Sequence, residues 1–226
     1  MNSNYLTVAL ATAFHCLASS DARAGILYDG DFSAWSFGAT GTASVVREAS
    51  GGNLGARLNI TTISGAEVYG TAVKTDYSTS VGFAGDPFSL SLDVKSGPGS
   101  FGDGQRILLL VEQSGTIYGK SLANTDYPHN WDTLTFTGAF NAAEFPRLLG
   151  PGPSLPNFNG APTSFGFAGG NANSATLTQY YDNFQLDSPA VPEPSCIGSV
   201  IAGIAVLGMR RGRFASAMKC RIDRPA

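Results

Sequence analysis

The chain has 226 residues, a formal net charge of −3, 28 glycines and 12 prolines, with 14% charged against 43% hydrophobic residues. At about 100–200 residues per domain, this length leaves room for one ordinary domain with terminal segments and excludes a large multidomain enzyme. The chain lacks the long runs of Ala, Leu, Glu and Lys that build helical bundles, and its many glycines and separate aromatics indicate an all-β protein.

The N-terminal segment is typical of a secretory signal peptide. An apolar run begins at Leu6, and the small residues Ala22 and Ala24 stand directly before Gly25. This layout predicts a signal helix over residues 1–24, a cleavage site at Ala22 and Ala24, and export through the inner membrane by the secretion translocon. The segment departs from the usual pattern because no Lys or Arg precedes the apolar run.

Residues 25–187 are predicted to form an antiparallel β-sandwich of eight to ten strands. Apolar and polar side chains alternate at 58–61, 88–95 and 133–137, as they do in strands with one buried face. No stretch shows a sustained helical period. Glycine- and proline-rich segments separate the runs, which favours a sandwich with many turns.

One strand is expected to be buried on both faces. Residues 107–111 are apolar throughout, which is typical of a central strand. The segment 113–116 then predicts the turn of a hairpin that returns through Ile117 and Tyr118.

Three short segments of the body resemble a known group of domains. The body opens on Asp29-Gly30-Asp31-Phe32, contains a tryptophan-led strand over 131–137, and closes on the segment 180–186 with its Asp-Asn pair. In this order they resemble the jelly-roll sandwiches of carbohydrate-binding modules and galactose-binding-like domains. The resemblance implies a sugar-binding body; the alternative is an unrelated sandwich with similar strand chemistry.

Asp182 is a candidate structural or metal-binding residue. Strand parity places it on the same face as Phe184 and Leu186, so its carboxylate is expected to be buried and to need a partner. Backbone N–H groups, an arginine or Ca²⁺ could be that partner. The resemblance implies a structural calcium ion where the first and last strands meet, with Asp29 or Asp31 joining Asp182; a hydrogen-bonded structural aspartate is the alternative.

The body offers little catalytic chemistry. All three cysteines lie in the terminal segments, and His129 is the body's single histidine, without a nucleophile motif nearby. Glu67, Glu112 and Glu144 could supply paired carboxylates for glycoside hydrolysis, but none stands in a recognisable motif. The sequence therefore predicts no catalytic residues and a protein that is not an enzyme.

Aromatic side chains could instead bind sugar by stacking. Trp35, Tyr127 and Trp131 are the candidates, since sugar binding requires aromatic faces and a few polar groups. The alternative is that these rings belong to the core, as tryptophans in sandwiches usually do.

Charge is unevenly distributed along the chain. Residues 25–190 contain 7 basic and 14 acidic residues, whereas residues 196–226 contain 6 basic and 1 acidic residue. An acidic body argues against nucleic acid as its partner. The basic end is typical of a segment held on the cytoplasmic side of a membrane.

The C-terminal segment is predicted to anchor the chain in a membrane. Residues 188–195 form a linker, and an apolar run from 196 to 209 is followed by a basic cluster, which together predict a single transmembrane helix with its flank over 196–213. Residues 214–226 would form a cytoplasmic tail. The basic stop-transfer residues are Arg210, Arg211 and Arg213.

The order of a Pro-Glu-Pro motif, a short hydrophobic helix and an arginine cluster resembles the PEP-CTERM sorting signal of exported bacterial proteins. The resemblance implies that exosortase, a transpeptidase-like membrane protease, recognises the motif and removes the helix. It also implies a transient single-pass membrane protein that reaches the cell surface or the extracellular space in an exopolysaccharide or biofilm setting. The motif residues are Val191, Pro192, Glu193 and Pro194.

Three functions stay open from the sequence. The first is an exported structural or adhesive component of an exopolysaccharide or biofilm matrix, with a non-catalytic sandwich. The second is a carbohydrate-binding module with a defined glycan ligand. The third, least favoured by the residues, is a glycan-active enzyme.

Overall fold

The structure, a computed structural model, describes residues 25–63, 68–100, 105–125, 127–171 and 175–188. Within these residues the chain forms twelve strands and one short 3₁₀ turn but no α-helix, which confirms the all-β prediction. No helix in this described part could span a membrane. The signal segment, the Pro-Glu-Pro motif, the arginine cluster and the tail lie outside the described residues.

The strands are short at the sheet edges and long in the middle. Two more are present than the sequence predicts, because short pieces such as the three-residue β10 complete the sheet edges. In chain order the strands are β1 (Gly25–Asp29), β2 (Trp35–Ala39), β3 (Ala43–Glu48), β4 (Arg57–Thr62), β5 (Val68–Lys74), β6 (Pro87–Ser96), β7 (Gln105–Gln113), β8 (Thr116–Thr125), β9 (Asp132–Ala139), β10 (Arg147–Leu149), β11 (Ser164–Asn171) and β12 (Leu177–Ser188).

The strands form two antiparallel six-stranded sheets. The first has the order β3-β4-β12-β6-β9, and β1 pairs with the second half of the long strand β12. The second has the order β10-β8-β7-β11-β5-β2. Neighbours in each sheet are mostly distant in sequence, as in jelly-roll sandwiches.

The core lies between the two sheets and is rich in aromatic rings. Trp35 packs edge to face against Phe32 and Phe184, with ring centroids 5.1 Å apart in both pairs. A second group surrounds Phe140, whose ring lies 5.1 Å from that of Phe88 and 5.8 Å from that of Phe165. Such contacts add to the free energy gained by removing these large rings from water.

The strand patterns in the sequence are confirmed. β6, β4 and β9 contain the three alternating runs, and the apolar run 107–111 lies in β7. Alternate residues of β7 point into the core, while Leu108 and Leu110 are buried on the opposite face. The predicted turn to β8 contains Ser114 and Gly115, both with positive φ (51° and 77°), as tight two-residue hairpin turns require.

The predicted orientation of Asp182 is wrong. A β-bulge between Asp182 and Gln185, with Asn183 at a φ of 49°, shifts the strand parity by one residue. Tyr181 therefore points into the core together with Phe184, and the Asp182 carboxylate lies on the outer face of the first sheet. It is nevertheless buried, because the loop between β3 and β4 covers it.

Candidate functional site

The outer face of the second sheet contains a trough along β11. Phe165 and Phe167 of this strand point into the core, so Gly166, Ala168 and Gly170 point outward. A Cβ on Gly166 would lie 2.0 Å from the carbonyl oxygen of Ala72, which shows how closely β5 approaches here. The larger outward side chains of β5 and β7 pack over these small residues, since Val73 is exposed by only 2% and Leu110 by 0%, so the middle of the trough is closed.

One end of the trough is filled by Tyr69. A Cβ on Gly170 would lie 2.3 Å from Cδ1 of the Tyr69 ring, so the ring rests directly on the strand. Nη1 of Arg106 donates a hydrogen bond to the Tyr69 hydroxyl at 3.1 Å, which fixes the ring in this place. No space for a ligand remains at this end.

At the other end of the trough, beyond Val73, lies an open pocket of about 250 Å³, and none of its described lining residues belongs to β11. It extends from the edge strand β2 across β5 to the hairpin between β7 and β8. This volume lies just below the roughly 300–1,000 Å³ of sites for drug-sized ligands, so the pocket suits one ring of a longer chain. The lining residues are Ser36, Phe37, Gly38, Thr71, Val73, Thr75, Glu112, Gly115 and Ile117.

A few hydroxyl-bearing and apolar residues line the pocket. Ser36 carries an exposed hydroxyl, Thr71 is exposed by only 1%, and the Thr75 hydroxyl donates a hydrogen bond to the carbonyl oxygen of Ala34 at 3.2 Å. Ile117 adds apolar surface, whereas Phe37 shares the strand face of Trp35 and lies opposite Ala72, on the core side of the sheet. This mixture of a few polar groups and apolar walls matches the chemistry of sugar rings, which carry hydroxyls on their edges and C–H groups on their faces.

The sequence patterns described above do not predict this trough. The available signal was the alternation of phenylalanine with glycine or alanine over 165–168, which marks a strand with one core face and one face of small residues. The position of the trough depends on β5 and β7 as neighbours of β11, and these strands are far away in sequence.

Two of the three aromatic residues predicted to stack on sugar belong to the core, which corrects the prediction for them. Trp35 is exposed by only 7% and Tyr127 by 4%. The Tyr127 hydroxyl lies 3.1 Å from that of Tyr181, and burial together with this neighbour raises the pKa of Tyr127 well above its ordinary value. Only Trp131, at the start of β9 in the first sheet, is partly exposed.

Asp29 and Asp31 are each engaged by a cation. Oδ1 of Asp29 accepts the backbone N–H groups of Asp31 and Phe32 at 2.8 Å, and Oδ2 lies 2.6 Å from Nζ of Lys74. Burial alone would raise the pKa of Asp29, but Lys74 and the backbone donors hold it below its ordinary value. The Asp31 carboxylate forms an ion pair with Arg47.

Asp182 is held by N–H donors. Its Oδ2 accepts the backbone N–H groups of Asn53 at 2.7 Å and Leu54 at 3.2 Å, and its Oδ1 accepts that of Asn183 at 2.7 Å. Burial raises the pKa of Asp182 above its ordinary value against the effect of these donors. The Asp182 carboxylate is thus partnered by backbone N–H groups, which were one of the three alternatives expected from the sequence.

Asp93 lies opposite Asp182 in the register of β6 and β12. Its Oδ2 accepts the side-chain amides of Asn53 at 2.8 Å and Asn183 at 2.7 Å, and its Oδ1 accepts the Thr133 hydroxyl at 2.5 Å. Burial would raise the pKa of Asp93, but these hydrogen bonds lower it.

This donor set does not fit a calcium cage, which consists of oxygen ligands directed at the ion. In the described part of the chain, no three His, Cys, Asp or Glu side chains converge as metal ligands would. The oxygens of Asp182 and Asp93 are directed at N–H and O–H donors, and Asp29 is occupied by Lys74. Calcium thus stays a prediction from the sequence resemblance.

The glutamates do not form a catalytic pair in the described structure. Glu112 points to the outer face of the second sheet, whereas Glu144 pairs at 2.5 Å with Lys120, whose side chain approaches the rings of Phe88 and Phe145 at the inner side. Two carboxylates on opposite faces of a sheet cannot flank one glycosidic bond. Glu67 lies outside the described residues.

Comparison with known proteins identifies the fold but no family. No family model matches the chain. No curated protein matches it either.

Several solved structures with a similar fold are carbohydrate-binding modules. The CBM22-1-CBM22-2 tandem domain of Paenibacillus barcinonensis Xyn10C matches with a TM-score of 0.50 and 16% identity, over 79% of this chain and 50% of the tandem. The CBM22-1 xylan-binding domain of the same protein matches with a TM-score of 0.48 and 16% identity, over 76% of this chain and 98% of that domain.

A third structure, the family 11 carbohydrate-binding module of Clostridium thermocellum Lic26A-Cel5E, gives a TM-score of 0.45 and 17% identity, with 75% of this chain and 95% of the module covered. At 16% identity and a TM-score of 0.50, the likeness to the tandem domain shows that the described chain shares its β-sandwich fold.

Proposed function

We propose that the β-sandwich binds a glycan in the pocket at the end of the trough and that it is not an enzyme. The observation that carries the proposal is this open pocket between β2, β5 and the β7–β8 hairpin, which combines hydroxyl-bearing and apolar residues. The size of the pocket suits one sugar ring. The fold shared with carbohydrate-binding modules supports the same function.

Binding in this pocket relies on hydrogen bonds more than on ring stacking. Phe37 is the one aromatic residue among the described lining residues, and strand parity directs its ring to the core side of β2. The exposed hydroxyl of Ser36 and the acceptor lone pairs of the Thr75 hydroxyl would determine which sugar hydroxyls are recognised, since each orphaned polar group in a desolvated site costs about 1–3 kcal/mol.

A glycan array with the purified full-length protein and two tryptophan variants tests the proposal. Ser36→Trp places a large ring over the pocket from an exposed position on an edge strand. Ser44→Trp is the matched control, because Ser44 is an exposed serine on the edge strand β3 of the other sheet. We expect the wild type and Ser44→Trp to bind the same glycans and Ser36→Trp to bind none. Equal binding by all three proteins would contradict the proposal.

We further propose that the chain is exported and sorted by its C-terminal segment, and that it contributes to an exopolysaccharide or biofilm matrix at the cell surface. The support is the sequence pattern at both ends, the export signal over 1–24 and the Pro-Glu-Pro motif before an apolar run and arginines. A glycan-binding body would suit such a location.

The C-terminus of the protein released from cells tests the sorting proposal. Mass spectrometry should find peptides that end near Pro194 and none from 214–226. Replacement of Glu193 by Ala should keep the protein in the membrane fraction, while Glu144→Ala, outside the motif, should leave release unchanged. Released protein that retains intact 214–226 peptides would overturn the proposal.

A further inference from the structure

Glu112 gives the pocket a single negative charge. Of the nine lining residues it is the one with an ionisable side chain. It lies near the end of β7, opposite Ile117 of β8 and Ser164 of β11, and is half-buried. A partly buried charge interacts more strongly with a ligand than an exposed one, because water screens it less.

The Glu112 carboxylate is only partly used by the protein. Its Oε1 accepts the backbone N–H of Gly115 at 3.0 Å, which holds the side chain at the hairpin. In the part of the chain that the structure describes, Oε2 takes part in no hydrogen bond and Glu112 in no ion pair. One oxygen of a charged group is thereby available to a ligand in the pocket.

Two cationic side chains of the second sheet, those of Lys74 and Arg106, interact with residues other than Glu112. Nζ of Lys74 lies 2.6 Å from Asp29 and 3.0 Å from Asp76. Arg106 holds Tyr69 at the filled end of the trough. The negative charge of Glu112 is therefore not compensated within the described pocket.

A neutral sugar ring offers only hydroxyl donors to such a carboxylate, and a uronic acid would be repelled by it. A protonated amine would form a charge-assisted hydrogen bond, which is roughly twice as strong as a neutral one. The acidic composition of residues 25–190, with 14 acidic against 7 basic residues, also attracts cationic chains.

We infer that the pocket selects glycans with free amino groups, such as de-N-acetylated hexosamine chains, through Oε2 of Glu112. The inference rests on the proposed glycan binding and names its ligand class. The exposed hydroxyl of Ser36 on β2 would bind the ring on the opposite side, and Ile117 would contact its apolar face.

Calorimetric titration of the full-length protein with two hexamers tests the inference. The probes are the glucosamine hexamer from fully deacetylated chitin and the matching N-acetylated hexamer, at about pH 6, where the amines carry protons. We expect the amino hexamer to bind about tenfold more tightly than the N-acetylated hexamer. Equal affinity for both, or tighter binding of the N-acetylated hexamer, would overturn the inference.

A pair of charge-neutralising variants distinguishes the effect of Glu112 from the effect of the overall negative charge of the domain. Glu112→Gln keeps the size of the side chain and should abolish the preference for the amino hexamer while preserving the fold. Glu144→Gln removes the same charge outside the pocket, from a carboxylate whose side chain is 48% exposed and which pairs with Lys120, and should keep the preference. A preference that survives in Glu112→Gln would overturn the inference.

Failure of the inference and failure of the proposed function give different results. If neither hexamer binds but neutral glycans on the array bind in a way that Ser36→Trp abolishes, the amino-sugar preference is wrong and the trough still binds glycan. If no glycan binds, both are wrong.

Discussion

The carboxylate of Asp182 accepts the backbone N–H of Asn53 at 2.7 Å, and this bond ties the last strand to the loop between β3 and β4 across 129 positions of sequence. The same loop donates the Asn53 side chain to Asp93 at 2.8 Å. Two neighbouring carboxylates thus hold one loop on the outer face of the first sheet.

Replacement of Asp182 by Ala should destabilise the domain and release this loop. We expect a loss of about 1–3 kcal/mol in the free energy of unfolding, the usual range when hydrogen bonds to a buried charged group are removed. Urea denaturation measures the loss, and amide exchange at Asn53 should become faster. Asp132→Ala is the control, since Asp132 is exposed and its carboxylate accepts only the adjacent Thr133 N–H. Equal stability of the two variants would contradict this role.

Asp93 should make the domain sensitive to acid. Its pKa in the folded state lies below the ordinary value of 3.8, so its ionised form stabilises the fold above that pH and the stabilisation is lost as the pH falls through the folded pKa. Asp93→Asn should therefore lower stability at neutral pH and flatten the decline below pH 3.8.

The pKa of Asp182 is shifted in the opposite direction to that of Asp93, so Asp182 serves as the control for this titration. Its raised pKa means that the folded state binds the proton more tightly than the unfolded chain, so its ionisation reduces stability as the pH rises. Asp182→Asn should keep or steepen the decline in acid. Denaturation series over pH that show the same acid limb in Asp93→Asn as in the wild type would exclude the mechanism.

Removal of calcium should leave the stability of the domain unchanged. The oxygens of Asp182 and Asp93 already accept N–H and O–H donors, and an ion bound only to the folded state would have to raise the melting temperature. We expect equal melting temperatures in excess chelator and in millimolar calcium. A rise with calcium would contradict this expectation and favour the calcium site that the sequence resemblance implies, with Asp29 or Asp31 joining Asp182.

Trp35 should stabilise the fold and have no direct part in binding. Its ring is packed among Phe32, Phe167 and Phe184, so Trp35→Ala should cost about 3–5 kcal/mol. Trp131→Ala, at a partly exposed position, should cost about 1 kcal/mol or less. Thermal denaturation compares the two. A small effect at Trp35 would contradict its place in the core.

The sequence predicts the individual strands better than it predicts how they pair with one another. The alternation in β6 and the apolar run in β7 are local properties, set by which side chains face the core, and both are confirmed. The orientation of Asp182 could not be predicted, because a single bulge with Asn183 at positive φ reverses the parity of the strand. Nothing in the segment itself distinguishes a bulged strand from a regular one.

The position of the trough depends on which strands are neighbours in the second sheet. In the sheet β11 lies between β5 and β7, although both of these strands are far from β11 in sequence. The sequence favours Trp35 and Tyr127 as sugar-stacking residues, because large aromatic rings occur both in protein cores and in sugar-binding sites. The signal for the site was small side chains at alternate positions, together with one half-buried carboxylate, Glu112.

The most direct test of the account is an NMR titration of the full-length protein with a glycan that binds on the array. Glycan binding in the trough predicts that the largest shifts of backbone amides occur at Gly38, Thr71 and Gly115, and that Ser36→Trp abolishes them. Shifts confined to the outer face of the first sheet, at Ser89, Ser91 and their neighbours, would contradict the central claim.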